Sequence, residues 1–119
     1  MKNEYKSLDE FYPFYLSQHS NNLNRLLHYT GTLLVIAIFT IGLLTQHLGL
    51  LAWTPICGYG FAWFGHFFFE KNKPATFKYP LFSLACDFIM LFDFLSGKIQ
   101  KRYNDFKLNN VKIIPLDFI

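Results

Sequence analysis

Residues 26–69 read LLHYTGTLLVIAIFTIGLLTQHLGLLAWTPICGYGFAWFGHFFF, a run of 44 residues without one Asp, Glu, Lys or Arg. A helix needs about 20 apolar residues to cross the hydrocarbon core of a bilayer, so the run is long enough for two crossings and a turn. Thr45, Gln46, His47 and Gly49 are its polar interruption, which places the turn there. The first crossing centres on residues 33–44, and the second runs over about residues 50–69. His28 and His66 each lie 19 positions from His47. A hairpin turning at that point returns both histidines to one depth.

Composition agrees with a lipid environment. The chain has 119 residues, 52% of them hydrophobic and 20% aromatic, including 15 Phe and 7 Tyr. A small soluble domain buries too little surface to hide that many rings. The net charge of +3 is small and dispersed, which argues against a nucleic-acid partner. Cys57 and Cys86 both fall in apolar segments and read as small hydrophobes. Residues 1–7 are polar and lack the apolar core of a cleavable signal, so the first crossing is expected to act as its own anchor.

Outside the charge-free run the chain is more varied. Ser7 and Glu10 have capping-box spacing. With Phe11, Tyr12, Phe14 and Tyr15 they predict a short N-terminal aromatic helix at the membrane interface, limited or kinked by Pro13. Ser20, Asn21 and Asn22 supply a cap for the first crossing. Gly58 and Ala62, four apart, suit close helix packing within the membrane. Residues 72–78 form a polar connector, and residues 79–95 a third apolar segment interrupted by Asp87 and Asp93. The expected architecture is an all-α integral membrane bundle in one domain over residues 1–119. It comprises a transmembrane hairpin, a third apolar helix and the interfacial helix.

The positive-inside bias sets the orientation. Lys2, Lys6, Arg25, Lys71, Lys73 and Lys78 fall on the side of the N-terminus and the 72–78 connector, which is therefore cytoplasmic. Lys98, Lys101 and Arg102 would lie on the wrong side if the third segment crossed fully, so that segment is either re-entrant or an exception.

Chemistry concentrates on the cytoplasmic side of the hairpin. On a regular helix His66 and Glu70 share one face, about 6 Å apart. Ionisable groups at the end of an apolar helix cost free energy, and a partner or a function should compensate. His19 and His28 are nine apart and converge only if the chain bends between them, which 20–22 allows. His19, His28, His66 and Glu70 together make a candidate metal and catalytic set of three imidazoles and one carboxylate. Such ligands suit Fe(II), and zinc accepts them too. Asp87 has three readings, a metal ligand, a neutral protonated acid and an acceptor that orients a histidine, and the last is favoured because ligating imidazoles usually need such a partner. His47 reads as a solvated turn residue. Arg25, Lys71 and Lys73 read first as lipid anchors.

The segments 19–28 (HSNNLNRLLH) and 65–75 (GHFFFEKNKPA) resemble the Mpo1-like family of small membrane proteins, which includes the yeast 2-hydroxy fatty acid dioxygenase of alpha-oxidation. The elements that carry the resemblance are His19, Asn21, Asn24, His28, Gly65, His66, Glu70, Lys71, Pro74 and Ala75. It continues through residues 80–84 to 87–90. The resemblance implies an Fe(II)-dependent enzyme that uses O₂ to shorten a long-chain 2-hydroxy fatty acid by one carbon. Around its metal, Asn21, Asn24, Arg25, Lys71 and Asp87 would support the ligands or contact the substrate. The location would be the bacterial inner membrane or the endoplasmic reticulum, with the metal on the cytoplasmic side. Two readings from other classes stand beside it. One is a haem-binding electron carrier with His28 and His66 as axial ligands. The other is a non-catalytic membrane scaffold.

Overall fold

The computed structural model of the protein describes residues 4–108. Five α-helices follow one another: α1 (Leu8–Ser17), α2 (Asn22–Leu44), α3 (Trp53–Gly65), α4 (Pro80–Leu95) and α5 (Ile99–Leu108). Short 3₁₀ turns at Leu48–Ala52 and Ala75–Phe77 and a π-helical turn at His66–Glu70 complete the path, and the described residues contain no strand. The fold is all-helical.

α2 begins at an Asn21 cap whose side-chain oxygen accepts the amides of Leu23 (2.8 Å) and Asn24 (3.3 Å). It runs 23 residues with a mean hydropathy of 1.9 and is the one described helix long and apolar enough by itself to cross a membrane. At 1.5 Å per residue it spans about 34 Å, against a hydrocarbon core of about 30 Å. It ends at Leu44, and Gln46 at φ 58° turns the chain back, within the expected turn.

The return segment is built differently from expectation. Instead of one helix over 50–69 it divides into the 3₁₀ turn, the 13-residue α3 and the π-turn. Pro55, third in α3, lacks an amide proton and is tolerated only near a helix start. α3 lies antiparallel along α2 at close range. A Cβ built on Gly31 would sit 3.0 Å from the Cys57 carbonyl oxygen, and one on Gly58 would sit 3.2 Å from Val35 Cγ2. Small residues therefore set the spacing of this hairpin.

α1 has the expected cap, with the Glu10 amide donating to Ser7 Oγ at 3.2 Å, and its 10 residues run through Pro13. Its rings face the rest of the protein. Phe11, Tyr12, Phe14 and Tyr15 are all buried, because Tyr79, just before α4, and Phe82 on it offer partners. Phe11 meets Tyr79 at 5.2 Å and Phe82 at 5.6 Å between ring centroids. Tyr12 donates to the buried carboxylate of Asp93 at 2.7 Å, and Arg102 Nε reaches the same carboxylate at 3.5 Å. That group joins α1, α4 and α5 and satisfies an acid that would otherwise be costly inside an apolar segment.

The third apolar segment is a 16-residue helix that meets α5 at 115°. Gly97 at φ 76° makes the corner. Cys86 is buried and Cys57 half-buried, both as free thiols.

Candidate metal centre

Three elements bring the histidines together. α1 ends at Ser17 and α2 starts at Asn22, so the chain bends between His19 and His28 as the capping residues suggested. α3 returns along α2 and delivers His66. All three imidazoles are buried, and one ring nitrogen from each lies within 4.8 Å of the others. The ring centroids are 4.3 Å apart for His19 and His28, 4.5 Å for His19 and His66, and 4.9 Å for His28 and His66.

The outward nitrogen of every ring has a fixed acceptor. His19 Nδ1 lies 2.5 Å from the Tyr15 carbonyl oxygen, and His28 Nδ1 lies 2.9 Å from the Asn24 carbonyl oxygen. Both are helix carbonyls four residues back, and a carbonyl can only accept. His66 Nδ1 lies 2.6 Å from Asn72 Oδ1. The Asn72 Nδ2 group donates to the carbonyl and the side-chain oxygen of Gln18 at 3.2 and 3.0 Å, which leaves Oδ1 as the acceptor. Each Nδ1 therefore carries its proton, and each Nε2 is left with a lone pair facing the other rings. His19 Nε2 and His28 Nε2 are 3.0 Å apart. Burial, then the neighbouring His28 and His66, holds His19 well below the usual imidazole range, which favours its neutral form. Two facing lone pairs at that distance repel unless a cation lies between them. Two imidazole nitrogens about 2.1 Å from one metal at right angles are about 3 Å apart. The donor set fits a divalent metal.

Asn72 reaches His66 because the chain widens and then reverses. In the π-turn the Lys71 amide donates to the His66 carbonyl, five residues back. Lys71 itself takes φ 58°, a left-handed conformation uncommon outside glycine, and Asn72 then folds back over the turn. The Asn72 amide also donates to the His66 carbonyl, at 3.0 Å. Replacing Asn72 with Ala is expected to weaken divalent-metal affinity about 10–100-fold, the usual effect of losing the acceptor behind a ligating histidine. Calorimetric titration of Co(II) into the variant and into Gln18→Ala checks this. The Gln18 variant should fall less, because the Asn72–His66 contact survives.

The same π-turn carries Glu70 away from the place a regular helix would give it. Its carboxylate lies at the start of α2, accepting the Asn21 amide at 2.5 Å, Ser20 Oγ at 3.2 Å and Asn24 Nδ2 at 3.3 Å. Those three donors, together with the positive end of the helix dipole, explain the position. Glu70 thus stands beside the three-histidine group as an anchor of α2 and is not among its converging atoms.

The surrounding residues expected from the sequence divide in the same way. Asn21 caps α2. Asn24 is fully buried and supports His28 through its carbonyl. Arg25 is buried rather than lipid-facing, donates through Nε to the His19 carbonyl and lies 4.9 Å over the Tyr103 ring. Lys71 is exposed and acts through its backbone conformation. Asp87 takes no histidine proton. It accepts from the Tyr15 hydroxyl, and the Tyr15 ring stacks on His19 at 4.0 Å. Asp87 is therefore one residue further from the histidines than expected. His47 is exposed in the turn, as read.

Sequence reasoning missed Tyr15 and Asn72. Tyr15 stands four residues before His19, the spacing of a helical carbonyl acceptor, but in an aromatic run it reads as core. Asn72 gives no signal until the chain reversal is known. Two more side chains facing this site are unpaired: Ser83 Oγ and Trp63 Nε1 are buried without hydrogen-bond partners, and both residues line the space of about 20 Å³ beside the three histidines.

No curated protein and no solved structure matches the chain. Residues 5–99, which include all three histidines and every residue that orients them, match the family described as 2-hydroxy-palmitic acid dioxygenase Mpo1-like, and the chain belongs to that family.

Proposed function

We propose that the protein is an Fe(II)-dependent dioxygenase that shortens long-chain 2-hydroxy fatty acids by one carbon within a membrane. The observation that carries this reading is the convergence of three buried, neutral imidazoles whose Nδ1 protons are all taken up from behind. Family membership supports the reaction class. Bound Fe(II) would supply the activation of O₂ and a point of attachment for two substrate oxygens. His19, His28 and His66 would hold it, with Glu70 keeping the start of α2 in place. Ser83 Oγ and Trp63 Nε1 are donors available to the hydroxyl and carboxylate of the acid. The Tyr15 ring stacks on His19 and is held by its hydroxyl bond to Asp87.

The net reaction balances: one 2-hydroxy acid and one O₂ give the acid one carbon shorter, carbon dioxide and water. C1 leaves as carbon dioxide, and C2 becomes the new carboxyl carbon. A haem carrier fits the site less well. The His28 and His66 rings are 4.9 Å apart with His19 against both, and the space among them is about 20 Å³, too small for a macrocycle.

Fe(II)-loaded protein given 2-hydroxypalmitic acid under labelled O₂ should form the acid one carbon shorter, with label in its carboxyl group. Palmitic acid should be inert, because it lacks the second chelating oxygen. Loaded, folded protein that leaves a chain-length series of 2-hydroxy acids untouched would sink the proposal.

The membrane setting is part of it. α2 is only 28% buried over its most apolar window, and Leu33, Ile36, Ile41 and Leu44 are exposed on it, as a lipid-facing helix requires. In the proposed orientation the N-terminus and the 72–78 connector are cytoplasmic. Single cysteines at Lys73 and Gln46, in a chain lacking Cys57 and Cys86, should react with an impermeant maleimide from opposite sides. Equal labelling of both from one side would refute the hairpin topology.

A further inference from the structure

We propose that the groove between α2, α3 and α4 is the acyl-tail channel of the histidine site, entered beside His28 and Asp87 and running toward the turn between α2 and α3. The inference rests on the dioxygenase reading for the identity of the ligand's head. The groove has its own geometry.

Three adjoining spaces lead away from the imidazoles. The first, of about 20 Å³, touches all three histidines; the second, about 30 Å³, shares His28, Ala62 and Asp87 with it. The third is a groove of about 450 Å³ that shares Val35, Gly58, Leu84, Asp87 and Phe88 with the second. Its volume falls within the range of small-molecule sites, about 300–1,000 Å³.

The walls follow from helical periodicity. On α2 they step from His28 through Thr32 and Val35 to Phe39 and Thr40, one turn at a time. On α3 they step back from Ala62 through Gly58 to Thr54. Glycine at 58 leaves that part of the wall without a side chain. The 12 steps along the chain from His28 to Thr40 correspond to about 18 Å of helix. One leaflet of a bilayer, half of a hydrocarbon core about 30 Å thick, is about 15 Å deep. The three spaces together thus have the length of one long acyl chain.

Polarity fixes the direction of the occupant. Asp87, whose carboxyl group accepts from Tyr15, is the one acidic residue lining the groove, and it lies at the histidine end. The unpaired Ser83 and Trp63 atoms belong to the same end. A molecule with one polar head and one unbranched apolar tail matches this distribution, with its head at the imidazoles and its tail toward Thr40.

The test is photocrosslinking of the full chain in detergent, using 2-hydroxy acids that carry a diazirine on the terminal carbon. A long probe should label Phe39, Thr40 or Thr54. A probe about half as long should label Thr32, Val35 or Gly58. Excess 2-hydroxypalmitic acid should suppress labelling at least about tenfold, the scale on which apolar pockets discriminate ligands, and phosphatidylcholine should not. Thr40→Trp should remove the long-probe adduct and leave the short-probe adduct. Thr54→Trp, on the opposite wall, should do the same and stands in if the first variant does not fold. Adducts confined to outward residues such as Leu33, Leu81 or Phe92, or labelling suppressed equally by phosphatidylcholine, would overturn the channel and indicate annular lipid. Length-dependent adducts in protein that shortens no acid would uphold the channel while removing the dioxygenase reading. Turnover with adducts outside the groove would remove the channel alone.

Discussion

Alanine at His28 or at His66 is expected to abolish retention of a divalent metal, whereas alanine at His47 leaves it intact. Each removed ring takes away one of three converging nitrogens, and the site offers no nearby substitute. Glu70 is occupied by three donors at the start of α2, and Asp87 is bonded to Tyr15. A three-nitrogen site reduced to two should lose metal at least about as severely as sites that lose an outer supporting partner, where the fall is already about 10–100-fold. His47 is exposed in the turn and shares nothing with the cluster. Metal content after anaerobic Fe(II) loading and desalting, measured on folded variants, decides the matter. An iron-free His47 variant beside iron-retaining His28 and His66 variants would reverse the assignment.

The second large effect is steric. Gly65 lies against α2 where the hairpin closes on the site, and a Cβ there would fall 2.0 Å from Asn24 Oδ1 and 3.3 Å from Asn24 Cα. The side chain of Asn24 would have to move, and the backbone behind it would have to yield. Asn24 is fully buried, donates to Glu70 and holds His28 through its carbonyl, so the displacement would reach the imidazoles directly. Gly65→Val is expected to cost about 1–3 kcal/mol or more, as overpacking does, and to weaken metal binding with it. Gly60→Ala is the control, since nothing lies within 4 Å of a Cβ at that position. Thermal unfolding in detergent of the two variants beside the parent protein measures the difference. Unchanged stability and metal content in Gly65→Val would contradict the close approach of α2 and α3 at this point.

Much of the site was readable because its geometry follows from lengths. The equal spacing of His28 and His66 from His47 needed only a hairpin, and the structure pairs their rings at 4.9 Å. The bend that brings in His19 was written in residues 20–22, which favour caps over helix interiors. The course of the chain after Gly65 was not readable in that way. Helical spacing places Glu70 beside His66 only if the helix is regular, and a single π-turn changes which atoms meet. Neither that turn nor the left-handed Lys71 has a sequence signature, because side chains from α2 and the Gln18 region stabilise both from outside. Asn72 was hidden for the same reason. The burial of α1 was also hidden, since an aromatic face suits a lipid surface and an aromatic core equally well. The partner helix, α4, decides between them.

Asp87 shows how far a correct category reaches without coordinates. A carboxylate inside an apolar segment needs a partner, and a histidine was the natural candidate. The structure supplies Tyr15 instead, a hydroxyl already held over His19 by ring stacking. The acid then lines the three adjoining spaces between α2, α3 and α4.

Three buried histidines are proposed to hold a non-haem metal. Metal analysis of protein purified anaerobically after Fe(II) loading, read together with its absorption spectrum, tests this most directly. Close to one iron per chain with no Soret band is expected. Protein that is folded yet metal-free, or that carries its iron under an intense Soret band, would contradict it.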